Sequence, residues 1–273
     1  MIFGKRRKLL NIILSTGNIS EDAILQKVDM VDNRFTMGME LKVNDGFAAV
    51  FSYQNKVTDV LKAGEYRLAT RFLPQLSSIL ELKEGHNSLF YAQLLFVRLE
   101  RMLFGWNTPL PLLARDDRYG LLRVFADGNV VVKITDPQLF CDNIAFSYAL
   151  DQKLQLQPLL NELIIAELDV LWDYQRIDIT ERFQERIRMA SLLHQLVNKK
   201  LKLQGLMAEE LMISSLILAK PLEEYLAAGG DIDQYNSQYQ VNQLLKTTSG
   251  NHDINRPIVP NSKLNAVNMI VER

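Results

Sequence analysis

The chain has 273 residues, 48% of them hydrophobic, and a formal net charge of −1 at neutral pH. That is enough apolar chain for one or two buried cores, and the balanced charge excludes a generally basic nucleic-acid binder, so no nucleic acid is expected as a partner. A single cysteine, Cys141, excludes an internal disulfide and a thiolate zinc site and fits a reducing cytosol.

The chain opens with MIFGKRRKLLNIIL, where a cationic cluster of Lys5, Arg6, Arg7 and Lys8 adjoins the apolar Ile2, Phe3, Leu9, Leu10, Ile13 and Leu14. A short amphipathic helix of this composition can lie on an anionic membrane surface, and these ten residues are the candidate membrane-binding site. The same residues fit a first helix packed on the body, or a basic frayed terminus. Asn11 interrupts the apolar stretch and no small-residue cleavage site follows, which argues against a secretory leader. Nowhere does an apolar run reach the roughly 18 residues that a spanning helix needs. The best run, 206–219, is broken by Glu209, Glu210, Ser214 and Ser215.

From about residue 31 to 134 the pattern is β-rich. Residues 37–70 read as a strand meander: Phe47, Ala49, Phe51 and Tyr53 alternate with Ala48, Val50 and Ser52, between turns at Asn44-Asp45-Gly46 and Gln54-Asn55-Lys56. After Gly64 the alternation resumes through Tyr66, Leu68 and Thr70. The densest charge cluster of this region, Arg115-Asp116-Asp117-Arg118, is expected to be a solvated loop, because two cations oppose the raised carboxyl pKa that acid–base chemistry requires.

Residues 135–205 read as helical. Thr135-Asp136-Pro137 is a cap followed by a first-turn proline. A second helix is expected from Pro158 to about Trp172, with Leu159, Leu160, Leu163, Ile164, Ala166 and Leu168 crowding more than one face and so well buried. A third starts at Asp178-Ile179-Thr180-Glu181, where Asp and Glu three apart could form a capping box. Its apolar seam runs through Phe183, Ile187, Ala190, Leu193, Val197 and Leu201, and Gly205 is placed to end it. Beyond Gly229-Gly230 the chain is rich in Asn, Gln, Ser and Thr, and its few apolar residues predict a mobile tail without heptads.

Catalytic motifs are missing. His86, His194 and His252 are far apart and in no metal-ligand spacing, and there is no GxxxxGK[ST], GxGxxG or GxSxG. The residues therefore predict no enzyme activity, no cofactor and no metal.

Several motifs in fixed order resemble the SPFH superfamily (stomatin, prohibitin, flotillin; Band 7-like), and more narrowly its bacterial virion-core-protein-like branch. They are the opening at 38–51, GEYRLAT at 64–70, the Pro74 to Leu76 close, SLFYAQLLFV at 88–97, FGWNTPLPLLARD at 104–116, and Gly128 with ITDPQLF at 134–140. Leu89 and Leu95 depart from the family pattern, as does Asp127 before Gly128, where a strand is expected to bulge or split. Related chains often end in a zinc ribbon, which one cysteine cannot build. In the family the stretch matched by Gly205, Leu206, Leu211, Ile213, Ser215 and Leu216 is a strand returning to the sheet. The resemblance thus favours strand over the helix that periodicity alone allows there.

The fold expected is α+β, an SPFH-type antiparallel β body with packed helices and a mobile polar C-terminal tail. Its parts are a basic lead at 1–30, an SPFH-like domain at 31–228 (β-rich 31–134, helical 135–205, return strand and short helix 206–228) and the tail at 229–273. The resemblance implies a non-enzymatic scaffold at the cytoplasmic face of a bacterial membrane, engaged in envelope-stress response. Its expected partners are further copies of itself, an anionic membrane surface and an unidentified protein. The alternative is a soluble protein-binding adaptor without lipid contact.

Overall fold

The structure is a computed structural model that describes residues 13–15, 19–83, 88–116, 120–178, 181–218, 224, 225, 227–231, 234 and 237. Two compact units divide the chain. The first is built from Met1–Phe104, Val130–Leu160 and Gln195–Glu210, the second from Gly105–Asn129, Asn161–His194 and Leu211–Arg273.

The first unit begins with strands β1 (Ile13–Ser15), β2 (Leu25–Lys27), β3 (Arg34–Thr36), β4 (Glu40–Val43), β5 (Phe47–Tyr53), β6 (Lys56–Leu61) and β7 (Gly64–Arg67). A short helix α1 (Pro74–Ile79) and strands β8 (Leu89–Tyr91) and β9 (Gln93–Arg98) follow. Strands therefore start well before residue 31, inside the lead expected to be basic and amphipathic. The expected meander is also corrected. β4 does not pair with β5: it lies between β1 and β7, while β5 lies between β9 and β6 in a sheet of order β2-β9-β5-β6. At the turn after Asn44, Gly46 takes φ +80° and its carbonyl accepts the Leu99 N–H at 2.7 Å, so β9 occupies the edge of β5 that a meander would give to β4. The Gln54-Asn55 turn, both residues at positive φ, closes a tight β5–β6 hairpin as expected.

Residues Ala48 to Ser52 of β5 are all buried, as both faces of a central strand can be. One face meets Leu41 and Val43 of β4, Leu61, Leu94 and Phe96 in a single apolar core, with Phe35 5.7 Å from Phe90 and 6.0 Å from Phe51 between ring centroids. Arg98 fastens the early chain to this sheet. Its guanidinium donates to the carbonyls of Ser20 (2.8 Å) and Ala23 (2.9 Å) and lies 5.1 Å from the Phe47 ring centre. Asp59, 6% exposed on β6, accepts the N–H groups of Gln75 (3.1 Å) and Leu76 (2.9 Å) at the start of α1. Asp59→Ala strands both amides, that of Leu76 in a buried place and that of Gln75 in a partly buried one. We expect it to cost about 2 kcal/mol in urea unfolding, with Asp59→Asn losing less.

In the helical region Asp136 caps α2 (Pro137–Phe140) as expected, accepting the Leu139 N–H at 3.0 Å, and a wide π turn leads to α3 (Phe146–Tyr148). The next helix, α4 (Lys153–Tyr174), starts five residues before the expected Pro158. Its true start is set by Gln155, whose Oε1 accepts the N–H groups of Asp151 (2.8 Å) and Gln152 (2.9 Å). Pro158 cannot donate to the carbonyl of Leu154 four residues earlier, and Leu154 is 75% exposed, where water can take that bond's place. Nor is α4 buried all round: Leu156, Leu160, Ile164, Leu168 and Trp172 form one buried stripe, while Ala166 and Val170 face outward. In α5 (Arg182–Leu201) the seam is Met189, Leu193, Val197 and Leu201, and Ile187 is 56% exposed. Leu193, Val197 and Leu201 of the expected seam are thus buried, Ala190 is half-buried, and Met189 takes the inward position expected of Ile187. Gly205 ends this segment at φ +73°.

A further, five-stranded sheet contains β10 (Met102–Asn107), β11 (Leu112–Asp116), β12 (Gly120–Ile134), β13 (Arg176–Ile177) and β14 (Leu206–Leu218), in the order β10-β12-β11-β13 with β14 also on β12. The two-residue β13 falls in the link between the helices expected to end near Trp172 and to start at Asp178. β14 is the strand that the family resemblance implied, not a helix. β12 runs through Asp127-Gly128 without the expected split, and Asp127 accepts a hydrogen bond from the Ser215 hydroxyl. The inside–outside alternation breaks instead in β14, at Glu209-Glu210 and again at Ser214-Ser215. Glu224 and Tyr225 are helical, and residues 238–273 of the expected tail lie outside the described residues.

Candidate membrane-contact site

Of the ten candidate membrane residues, Ile2, Phe3, Lys5, Arg6, Arg7, Lys8, Leu9 and Leu10 lie outside the described residues. Ile13 and Leu14 are in β1, paired in parallel with Glu40 and Leu41 of β4. This corrects the helix expected over 2–14 at its last two positions, whose backbone is extended and paired in a sheet. Four residues lie between Lys8 and Ile13, so chain length alone limits Lys8 to about 18 Å and Lys5 to about 29 Å from the start of β1.

The body close to that tether carries a patterned charged surface. Glu40 and Lys42 alternate with buried Leu41 and Val43 on β4, and Glu65 and Arg67 alternate with Tyr66 on β7. Lys42 lies opposite Glu65, with Nζ 3.1 Å from the carboxylate, and Glu40 lies opposite Arg67. Charged and apolar residues in strict alternation within ELKV and GEYR were the signal for this surface. Sequence reasoning missed it because the partner strand of each was not legible.

Other candidate chemistry resolves into structure. Arg115 and Asp116 belong to β11, opposite Leu121 and Gly120, and Asp116 is 6% exposed beside Ile177. Asp116 is therefore not in the solvated loop expected of it; Asp117 and Arg118 lie outside the described residues. His194 is half-buried on α5, whereas His86 and His252 lie outside the described residues. Among the described residues no group of three His, Cys, Asp or Glu side chains could hold a metal ion. Arg101 pairs with Glu209 at 2.7 Å and also with Glu210, and Lys133 adds a further pair to Glu209. The Lys133 hydrogen bond, aided by the charges of Lys133 and Arg101, holds the Glu209 carboxyl below its usual range. A groove of about 420 Å³ is lined by Leu25, Lys27, Leu95, Phe146, Leu150 and Asp151, among others, with no nucleophile and base side by side.

Cys141 is fully buried, and its thiol is pushed up to about 12, first by burial and then by the adjacent Asp142 carboxylate. It is expected to resist a thiol reagent at neutral pH until the protein is unfolded. Because the unfolded thiol ionises near 9.0, this site's contribution to stability falls as pH rises from about 9 toward 12. Cys141→Ala should flatten that part of the profile. Equal labelling of native and unfolded protein would contradict both statements.

The geometry describes an α+β protein with an open charged sheet edge and, among the described residues, no helix long and apolar enough to cross a membrane. Residues 25–234 match the model of the SPFH domain-Band 7 family, and the chain belongs to that family. Its members are in general membrane-associated scaffolds and not enzymes. No curated protein matches the chain.

Proposed function

We propose that this protein is a self-assembling scaffold of the virion-core-protein-like branch, held at the cytoplasmic face of a bacterial membrane and serving envelope-stress response. The observation that carries the reading is the family match across 25–234. Support for the lipid contact comes from the four cations tethered near β1. At about 1 kcal/mol each they supply at most about 4 kcal/mol, or about millimolar binding for one copy. Stable attachment therefore calls for linked copies, which is the energetic reason to expect assembly.

Flotation of the untagged full-length protein with vesicles tests this. Binding is expected to require anionic lipid, to weaken with salt, and to be lost when Lys5, Arg6, Arg7 and Lys8 are all changed to Gln. A variant that floats as well as the parent would move the contact elsewhere. A second reading, a soluble adaptor without lipid contact, draws on the pairing of Ile13–Ser15 with β4, which engages the end of the lead on the body. Absence of flotation with a monomeric protein would favour it.

A further inference from the structure

β7 is the terminal strand of the β1-β4-β7 sheet. Leu68 donates to the Met39 carbonyl at 2.9 Å, and the antiparallel register continues through Leu41 opposite Tyr66 and Val43 opposite Gly64. The alternation of such a ladder turns the backbone groups of Tyr66 and Gly64 toward β4 and those of Glu65 and Arg67 outward. Among the described residues, none of these four outward N–H and C=O groups has a partner. An edge of this kind is a template for another strand.

The charges on the edge select which strand. If β7 meets a second β7 antiparallel about a two-fold axis at Tyr66, Glu65 stands opposite the partner's Arg67, and Arg67 opposite the partner's Glu65. Both positions have outward backbone groups, so each pair can exchange two hydrogen bonds, four in all. The side-chain rows also continue in alternating sign. One runs Glu40, Arg67, the partner's Glu65, the partner's Lys42; the other runs Lys42, Glu65, the partner's Arg67, the partner's Glu40. Centring the pair on Glu65 or on Arg67 would set like charges face to face.

We propose that β7 is an isologous contact between two copies of this chain, formed by antiparallel edge pairing centred on Tyr66. The proposal deepens the self-assembly reading above by naming one of its contacts. Charge on an edge strand ordinarily blocks pairing; here the sequence makes one self-complementary register favourable and the neighbouring ones unfavourable.

Sedimentation velocity on the full-length protein tests it with two charge variants. Glu65→Arg places Arg against Arg in its own dimer and Arg67→Glu places Glu against Glu, so each alone is expected to weaken association by about tenfold or more. Mixed in equal amounts the two variants restore both unlike pairs, and the dimer is expected to return. Arg67→Pro is a backbone check: it removes an outward N–H that β4 does not use, so the fold should survive by circular dichroism while the dimer is lost. Charge variants that stay monomeric when mixed, or an Arg67→Pro protein that associates like the parent, would overturn the β7 contact and leave self-assembly through another surface standing. A parent that is monomeric at every concentration and on anionic vesicles would overturn both readings.

Discussion

Gly128→Ala is expected to destabilise the protein by about 3 kcal/mol or more, a large part of the stability of an ordinary domain. A Cβ built on Gly128 would stand 1.9 Å from the Met212 carbonyl oxygen and 2.9 Å from the Trp106 ring. The first neighbour is backbone of the strand β14, so relief requires two strands to separate, not a side chain to swing aside. The nearby Gly105 is the control: among the described residues a Cβ there meets Asn129 Oδ1 at 3.9 Å, an ordinary contact. Thermal unfolding should show a fall of about 10 °C for Gly128→Ala and little change for Gly105→Ala. Equal effects would mean that the cost is loss of glycine as such and not the close approach.

Gly205→Ala is the second large effect expected. Gly205 combines φ +73° with a Cβ position 2.3 Å from the Asp136 carbonyl oxygen and 2.7 Å from the Phe140 nitrogen. Its own carbonyl accepts the N–H groups of Thr135 and Asp136 at 2.9 and 3.1 Å, so the residue that ends one helical segment also seats the start of another. Gly229 has nearly the same φ, +78°, and among the described residues nothing lies within 4 Å of an added Cβ. Gly229→Ala therefore isolates the left-handed penalty, about 1 kcal/mol, and Gly205→Ala should exceed it by about 2 kcal/mol or more. Urea midpoints of the two variants decide this. A Gly205→Ala protein no less stable than Gly229→Ala would show that the 135–140 segment yields easily.

The candidate membrane residues divide along the same line as the fold. That four cations sit together beside apolar residues is a property of the chain and was legible directly. Whether residues 13 and 14 continue a helix was not, because their conformation depends on an available edge of β4, 26 or more residues later. The surface of Glu40, Lys42, Glu65 and Arg67 is a similar case: each pair is visible as alternation, but their complementarity exists only once β4 and β7 are neighbours.

What the sequence by itself determined are the features governed by a few adjacent residues: strand β5 between its two turns, the tight Gln54-Asn55 hairpin, the Asp136 cap and the Gly205 stop. Each follows from local backbone preference and short-range hydrogen bonds, which the chain carries wherever it folds. The order of the family motifs likewise implied that β14 is a strand, although its periodicity alone also fits a helix. Tertiary structure alone decided that β9 rather than β4 pairs with β5, that Asp116 is buried, that α4 starts at Lys153, and that Met189 instead of Ile187 faces inward. In each of these, a residue far along the chain occupies an edge, a face or a hydrogen-bonding group for which local preference leaves more than one partner.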